Sequence, residues 1–439
     1  MKKRHLTVLA CLIAVVAIYK ALAAGSPSTM SIRRADDPMK VQGQALKQLI
    51  GFPIDKLRLL IYKSGAFQAA PYQIDQRNAK GEWVFTIGEE KEASPSGGKL
   101  AANDELVFMA HDMGDSAPAG AKPEKAGQCL VISVTDPVDG GTGWTYLCAF
   151  DNPPPPSKTD YVSHTVDSQW MWMIGQTYKI GTGVNESYFE KMCFRAAGGG
   201  WGPDILDRYK ARIHGVPIPG KETLSESEAS AKAVAWIDGP VRVIRKSRGW
   251  GKVAGVIKIQ AEGSSQNIYY PSFFEIPLRI KIPKVGESFL KKVTMSVTLD
   301  FNHLFYGSKY YDPINKQGAI LDGVMGEAEK NLDLKTPHRW WFVTGPHGSV
   351  VCRYVLPPNM DKQVPTIGFY VDDKSALDPP EEEPGQSNVG LVLENLMNLP
   401  PGEYKYYSFF YMPANFKLGD QDRILNMLDK PLQVKVTAL

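Results

Sequence analysis

The sequence predicts an all-β fold class: two sandwich-like antiparallel domains with few short helices. Three observations lead there. Short apolar runs recur between clusters of Gly, Pro, Asn and Asp, and several of them alternate apolar with polar residues at period two. The 32 prolines, 40 glycines and 19 tyrosines among 439 residues favour strands and turns over long helices. No βαβ rhythm appears.

The first element, residues 1–23, reads as a secretory signal. Lys2, Lys3, Arg4 and His5 precede the apolar run from Leu6 to Ile18, and Ala21-Leu22-Ala23 offers a small-x-small cleavage pattern. The run is 13 residues long, whereas a helix needs roughly 20 to span a bilayer. Cys11 lies in the middle of that run, which argues against lipid attachment there. A mature chain beginning near Ala24, periplasmic or extracellular, is the expectation. Losing Lys2, Lys3, Arg4 and Lys20 takes the 50 basic residues to 46, against 47 acidic ones. A near-neutral chain lacks the basic excess of a nucleic-acid binder. No later segment approaches about 18 uninterrupted apolar residues, so no transmembrane segment is expected after signal cleavage.

The remaining length exceeds what one core usually supports, which predicts two domains. Asn-Pro-Pro-Pro-Pro-Ser at 152–157 cannot continue a sheet ladder, so residues 152–158 read as a linker between an amino-terminal β domain at 39–151 and a larger β-sandwich domain at 159–439. In the first domain, strands are expected at 57–62, 83–87, 106–109, 130–134 and 144–150. Residues 129–135 and 142–148 flank the turn-rich Asp136-Pro137-Val138-Asp139-Gly140-Gly141. If Thr135 faces Thr142, then Val131 faces Tyr146 and Cys129 faces Cys148, within disulfide reach. An exported chain permits that bridge, and a second, less favoured one joins Cys193 to Cys352.

In the second domain, Val293, Met295, Val297, Leu299 and Phe301 alternate with polar residues, the pattern of a half-buried strand. Ile276, Leu278, Ile280 and Ile282 alternate with Pro277, Arg279, Lys281 and Pro283; the prolines predict an edge strand. Further strands are expected at 233–237, 241–245, 340–343, 350–355, 367–371, 404–411 and 432–436, and helices at 44–50 and 420–428. The segment Asp378 to Gly385 should be an exposed loop.

The chemistry is sparse. His111, His164, His214, His303, His338 and His347 form no HExxH arrangement, and there is no GxSxG elbow, P-loop, dinucleotide fingerprint or CxxCH site. No cofactor is expected except calcium, for which Asp75, Asn78, Asp104 and Glu105 supply oxygens around tight turns; turn residues bonding their own backbone explain the same pattern. Trp170, Trp172, Tyr269, Tyr270 and Trp340 are candidate aromatic platforms for a sugar ring or an apolar partner. Arg242, Lys246 and Arg248 share one strand face if pairing is regular, a row suited to an anionic sugar or an acidic partner.

The stretch 233–248, a strand leading into Asp238-Gly239-Pro240-Val241-Arg242 and a second strand, resembles the opening of sandwich domains in polysaccharide lyase and mutarotase-like proteins. Tyr72-Gln73-Ile74-Asp75 and Asn103-Asp104-Glu105-Leu106-Val107-Phe108-Met109 resemble exported bacterial β-sandwich proteins with no assigned activity. The leading expectation is a non-catalytic exported β-sandwich protein that binds a carbohydrate or an envelope protein partner. The lyase resemblance implies an alternative, a polysaccharide-active enzyme using Arg242, Tyr269, Tyr270 or His303. A third alternative is an accessory subunit of an exported respiratory complex.

Overall fold

A computed structural model describes residues 28–218, 221–251, 258–259, 262–282, 293–380 and 383–439. The segment 1–23 expected to be a signal, with Cys11, lies outside them, as does Pro283. The chain is all-β: its strands form five sheets, and the longest helix among the described residues is Gln421–Asp429. Among those residues no helix is long and apolar enough to cross a membrane.

Two compact units form, and the chain passes between them more than once. One unit holds the residues up to Val84, Ala93–Thr159 and Asn426–Leu439; the other holds Phe85–Glu92 and Asp160–Leu425. A single cut at 152–158 therefore does not describe the division. Hydrogen-bonded ladders decide membership: Ile87–Gly88 pairs with Ala229–Asp238, and Gln433–Ala438 pairs along Ala126–Thr135 from Gln433 opposite Thr135 to Ala438 opposite Leu130. Pairings between residues hundreds of positions apart leave no local mark in composition.

The first unit has a five-stranded sheet, in the order Gln433–Ala438, Ala126–Thr135, Thr142–Phe150, Leu57–Lys63, Ala66–Ala69. Its three-stranded sheet runs Pro38–Gln42, Glu105–Met109, Gln73–Asp75. Met39, Leu106 and Phe108 from the small sheet share one buried cluster with Leu57, Ile132 and Leu147 from the large one. The opposite face of the large sheet buries Leu60, Cys129, Tyr146, Cys148 and Phe150. This hairpin has the register that its alternation predicts, with Val131 opposite Tyr146 and Cys129 joined to Cys148 in a disulfide. Arg34, buried, ties three segments together: it hydrogen-bonds Asp37, reaches Asp136 at 3.3 Å, and donates to the carbonyls of Asn426 at 3.0 Å and Lys430 at 2.6 Å.

In the second unit, an eleven-stranded sheet includes the run Gly348–Val355, Gly402–Tyr411, Phe273–Ile282, Glu262–Tyr269, Val243–Gly251, Ala229–Asp238. A five-stranded sheet has the order Lys221–Leu224, Leu206–Ile218, Thr294–Phe301, Gln386–Leu393, Thr366–Asp373, and a four-stranded sheet the order Phe189–Phe194, Tyr178–Gly183, Trp170–Ile174, Ser163–Val166.

Three expectations are corrected here. Phe273–Ile282 is an interior strand, paired along its whole length with Gly402–Tyr411. Pro277 is tolerated because the described partners on its other side stop at Glu275 and resume at Ile280, so its missing N–H falls in a gap. Thr294–Phe301 is buried on both faces, Ser296, Thr298 and Asp300 included, because it lies between two other strands and its polar face receives a buried lysine. Cys193 and Cys352 are buried free thiols, not a second bridge. Burial pushes the Cys193 thiol up to about 11, with Asp204 adding to the effect, and raises that of Cys352 well above its ordinary value. Each stays a protonated, inert filler of its core.

The disulfide joins residues 19 apart. Closing a loop of that size contributes about 3 kcal/mol. The paired change Cys129→Ser, Cys148→Ser is expected to lower the urea unfolding free energy by about that amount, with the denaturant slope little changed; an unaltered midpoint would show that the hairpin needs no covalent tie.

Candidate functional site

The strand Leu206–Ile218 has two contrasting faces. Arg208, Lys210 and Arg212 alternate on one of them and all are buried. Each finds anions. Lys210 bonds Asp300 and, at 2.9 Å, Asp378; Arg212 bonds Asp378 and holds both oxygens of Glu226, at 3.1 and 3.2 Å; Arg208 meets Glu190 at 2.9 Å and the carbonyl of Pro380 at 2.8 Å. The loop opening at Asp378 is thus anchored at its first residue. Pairing of this kind is what lets charges persist away from water.

The other face of that strand carries Tyr209 and Ala211, which wall a cavity of about 130 Å³ inside the second unit. Opposite them stands the eleven-stranded sheet. Its ladder puts Arg245 beside Asn267 and Tyr269 beside Phe274, and all four line the cavity with Ile276 and Leu278. Ile180 and Phe189 close the apolar part, while Ser187, Ser225, Ser230 and Ser265 form a more solvent-accessible rim.

Several polar atoms on this lining have no partner in the protein. They are Arg245 Nε and Nη1, the Tyr209 hydroxyl and Asn267 Oδ1, all buried. Asn267 Nδ2 donates to the Tyr269 hydroxyl at 3.2 Å, and the Arg245 guanidinium lies 5.4 Å from the Tyr269 ring. Burial raises Tyr209, and also Tyr188, well above the ordinary phenol value, so both hold their protons. Beside Arg245, His164 is driven down to about 3 by burial and, secondarily, by the arginine's charge.

The residues singled out in the sequence do not converge. Tyr269 lines the cavity. Arg242 and Tyr270 are buried and bonded to each other at 3.0 Å, and Tyr270 stacks on Phe273. Arg242 precedes the strand Val243–Gly251, so the expected row is broken; Lys246, at 2.8 Å, and Arg248 both engage Glu90. Trp170 and Trp172 stand half-exposed on one face of the four-stranded sheet, ring centres 6.0 Å apart. Lys179 lies over Trp172 at 3.8 Å and Lys191 over Trp170 at 5.1 Å. Gly181 makes room there, since a Cβ at that position would sit 2.8 Å from the Trp172 ring. Trp340, half-buried on another sheet, stacks on Phe342. His303 is exposed, 3.9 Å from Glu383.

The oxygens of the calcium reading are engaged within the protein. The oxygens of Asp104 accept from the backbone N–H of Arg77 and Ala101, those of Asp75 from Gln73, Glu105 from Gln42, and Asn78 Oδ1 from the N–H of Lys80 and Glu82. These are turn and cross-strand bonds, and no metal-binding cluster of His, Cys, Asp or Glu occurs among the described residues. Arg245 is the candidate residue that the sequence reading missed. Its signal is parity: weighing the even-numbered cations of 242–248 passes over Arg245, the one cation on the face shared with Val243 and Ser247.

No family model matches the chain, and no curated protein does. Among solved structures it is similar to YidC from Thermotoga maritima, at 8% identity and a TM-score of 0.27 over 62% of this chain and 56% of that one. It is also similar to the alpha-N-acetylgalactosaminidase NagBb from Bifidobacterium bifidum in its GalNAc complex, at 11% and 0.30 over 57% and 36%. A third is an active YidC insertase with its first transmembrane domain resolved, at 9% and 0.24 over 62% and 44%. The chain thus spans between about a third and just over half of their lengths, and likenesses this slight assign it no activity.

The buried imidazole gives a pH test. Neither His164 nitrogen has a hydrogen-bond partner, and its folded value of about 3 lies below the ordinary 6.5. Between those values the unfolded chain takes up a proton that the folded chain refuses, so stability falls as pH drops through that window. His164→Phe is expected to flatten the fall in urea midpoint between pH 7 and pH 4.5; parallel curves for the two chains would remove His164 from the account.

Proposed function

We propose that the chain is an exported, non-catalytic binding protein whose ligand enters the cavity between the Leu206–Ile218 strand and the eleven-stranded sheet. The observation that carries this reading is the convergence of Arg245, Tyr209 and Asn267, with unpartnered polar atoms, onto a space otherwise walled by Ile180, Phe189, Phe274 and Leu278. Apolar walls with a few convergent polar groups are the usual make-up of a small-ligand site. Support for export comes from the amino-terminal signal pattern and from the Cys129–Cys148 disulfide.

The non-catalytic part of the reading rests on protonation and pairing. A general base must be able to lose its proton near the working pH, and burial holds Tyr209 and Tyr188 protonated. Glu226, the acid on the lining, is engaged by Arg212 through both oxygens. Of the lyase-like set of Arg242, Tyr269, Tyr270 and His303 only Tyr269 lines the cavity, so proton abstraction by that set finds no support in their separate surroundings.

Filling the space tests the reading directly. Ala211→Phe is expected to abolish binding of every small organic probe that the full chain binds in ligand-observed NMR, while the unfolding midpoint stays level or rises. Unchanged binding in that variant would place the ligand elsewhere.

Carbohydrate binding at the Trp170 and Trp172 pair is a second reading, favoured by two half-exposed indoles on one sheet face with Gly181 beneath them. A sugar stacked there would displace Lys179 from Trp172. Here a glycan array should give hits that fall at least tenfold with Trp172→Ala and persist with Ala211→Phe; an empty array would end the carbohydrate reading.

A further inference from the structure

We infer that the cavity takes a small monocarboxylate with a short apolar body, its carboxylate meeting Arg245. This deepens the binding-site reading above and depends on it. Arg245 is 5% exposed, and Nε and Nη1 are buried without a hydrogen-bond partner. Its neighbours across the two ladders are Trp236 and Asn267, neither of which carries charge. Among the described residues no carboxylate pairs with it. The Tyr269 ring, 5.4 Å away, offers only the weak attraction of an aromatic face.

An uncompensated buried cation carries a large desolvation cost. The neighbouring cations show how this chain otherwise meets that cost: Arg208, Lys210 and Arg212 each have a carboxylate. Arg245 is the exception, and it is the one that faces a cavity. Glu226 lines the same space, but Arg212 holds both of its oxygens and Arg208 stands 3.8 Å away, so Arg245 faces the space without a paired carboxylate. A monoanion answers its charge.

Size and wall chemistry narrow the class further. The volume of about 130 Å³ is slightly below the roughly 150 Å³ cavity known to admit benzene, so the occupant has about six heavy atoms. Phe189, Phe274, Ile276 and Leu278 favour a hydrocarbon body. Tyr209 can donate to the second carboxylate oxygen, and Asn267 Oδ1 can accept from a hydroxyl or amide substituent.

Butyrate and its uncharged isostere butyramide separate charge from shape, and inorganic phosphate serves as an anion with no apolar body. In calorimetric titrations of the full chain, butyrate is expected to bind at least tenfold more tightly than butyramide or phosphate. Arg245→Gln should bring butyrate down to the butyramide level. Should that variant lose the wild-type near-UV signature, Arg245→Lys is the replacement, retaining charge without the planar fork and keeping part of the preference. Equal binding of butyrate and butyramide, both lost in Ala211→Phe, would overturn the carboxylate class and leave the site standing. Tighter binding of phosphate would overturn the apolar body. Binding of neither organic probe would overturn the carboxylate class; if the wider probe panel with Ala211→Phe is also blank, the site falls with it.

Discussion

Arg208, Lys210 and Arg212 occupy alternate positions of one strand and are all but withdrawn from water, so the rest of the larger unit must supply anions where they end. Glu190, Glu226, Asp300 and Asp378 arrive from four different segments to do so. Attraction alone is a poor reason to bury charge, since desolvation roughly cancels it. What such a ladder provides is position: moving any of the four segments would take a carboxylate from at least one buried cation. Because side chains alternate, fixing the charged face of Leu206–Ile218 also fixes the aim of Tyr209 and Ala211 on the other.

The cavity inherits its character from that arrangement. One wall is held by ion pairs behind it, the other by the interior ladder of a large sheet in which Phe273–Ile282 is bonded along its length to Gly402–Tyr411. Polar groups placed on such rigid elements keep their spacing without a ligand, which lowers the ordering cost of binding. The aromatic surface around Trp172 is different in kind. Its rings lie under lysine side chains, so a partner would exchange contacts there and not fill a prepared space.

Local physics explains which parts of this fold could be read in the sequence. The 129–148 hairpin was legible down to its register, because alternation and a compact turn leave one pairing that buries Tyr146 and aligns the two cysteines. Gln421–Asp429 and several strands of the larger unit, 293–301 and 404–411 among them, were legible from local pattern, whereas Tyr178–Gly183, Leu206–Ile218 and Gln386–Leu393 were not. Failures came wherever the deciding partner was distant. Prolines at 277 and 283 suggested an edge, yet the strand is interior, and among the described residues no ladder partner stands opposite Pro277 on the side away from Gly402–Tyr411. The polar face of Thr294–Phe301 looked solvated, yet it receives Lys210. Asp104 resembled a cation ligand, yet it serves the backbone N–H of Arg77 and Ala101. Arg245 was visible as a residue but not as a candidate, since only the assembled sheet shows which parity points inward and that, among the described residues, no carboxylate pairs with it.

Residues 426–439 bring an order of events into the molecule. They supply the strand Gln433–Ala438 and the two carbonyls that Arg34 grips, yet a ribosome makes them after every residue of the larger unit. Until they arrive, Ala126–Thr135 is the bare margin of its sheet, with a row of unanswered amides open to any passing strand. The unit begun first is thus finished last. Its assembly is a closing of a circle spanning nearly the whole chain, slow by the logic of distant contacts, and a nascent polypeptide has to be kept from mispairing at that margin for as long as the intervening segment takes to emerge.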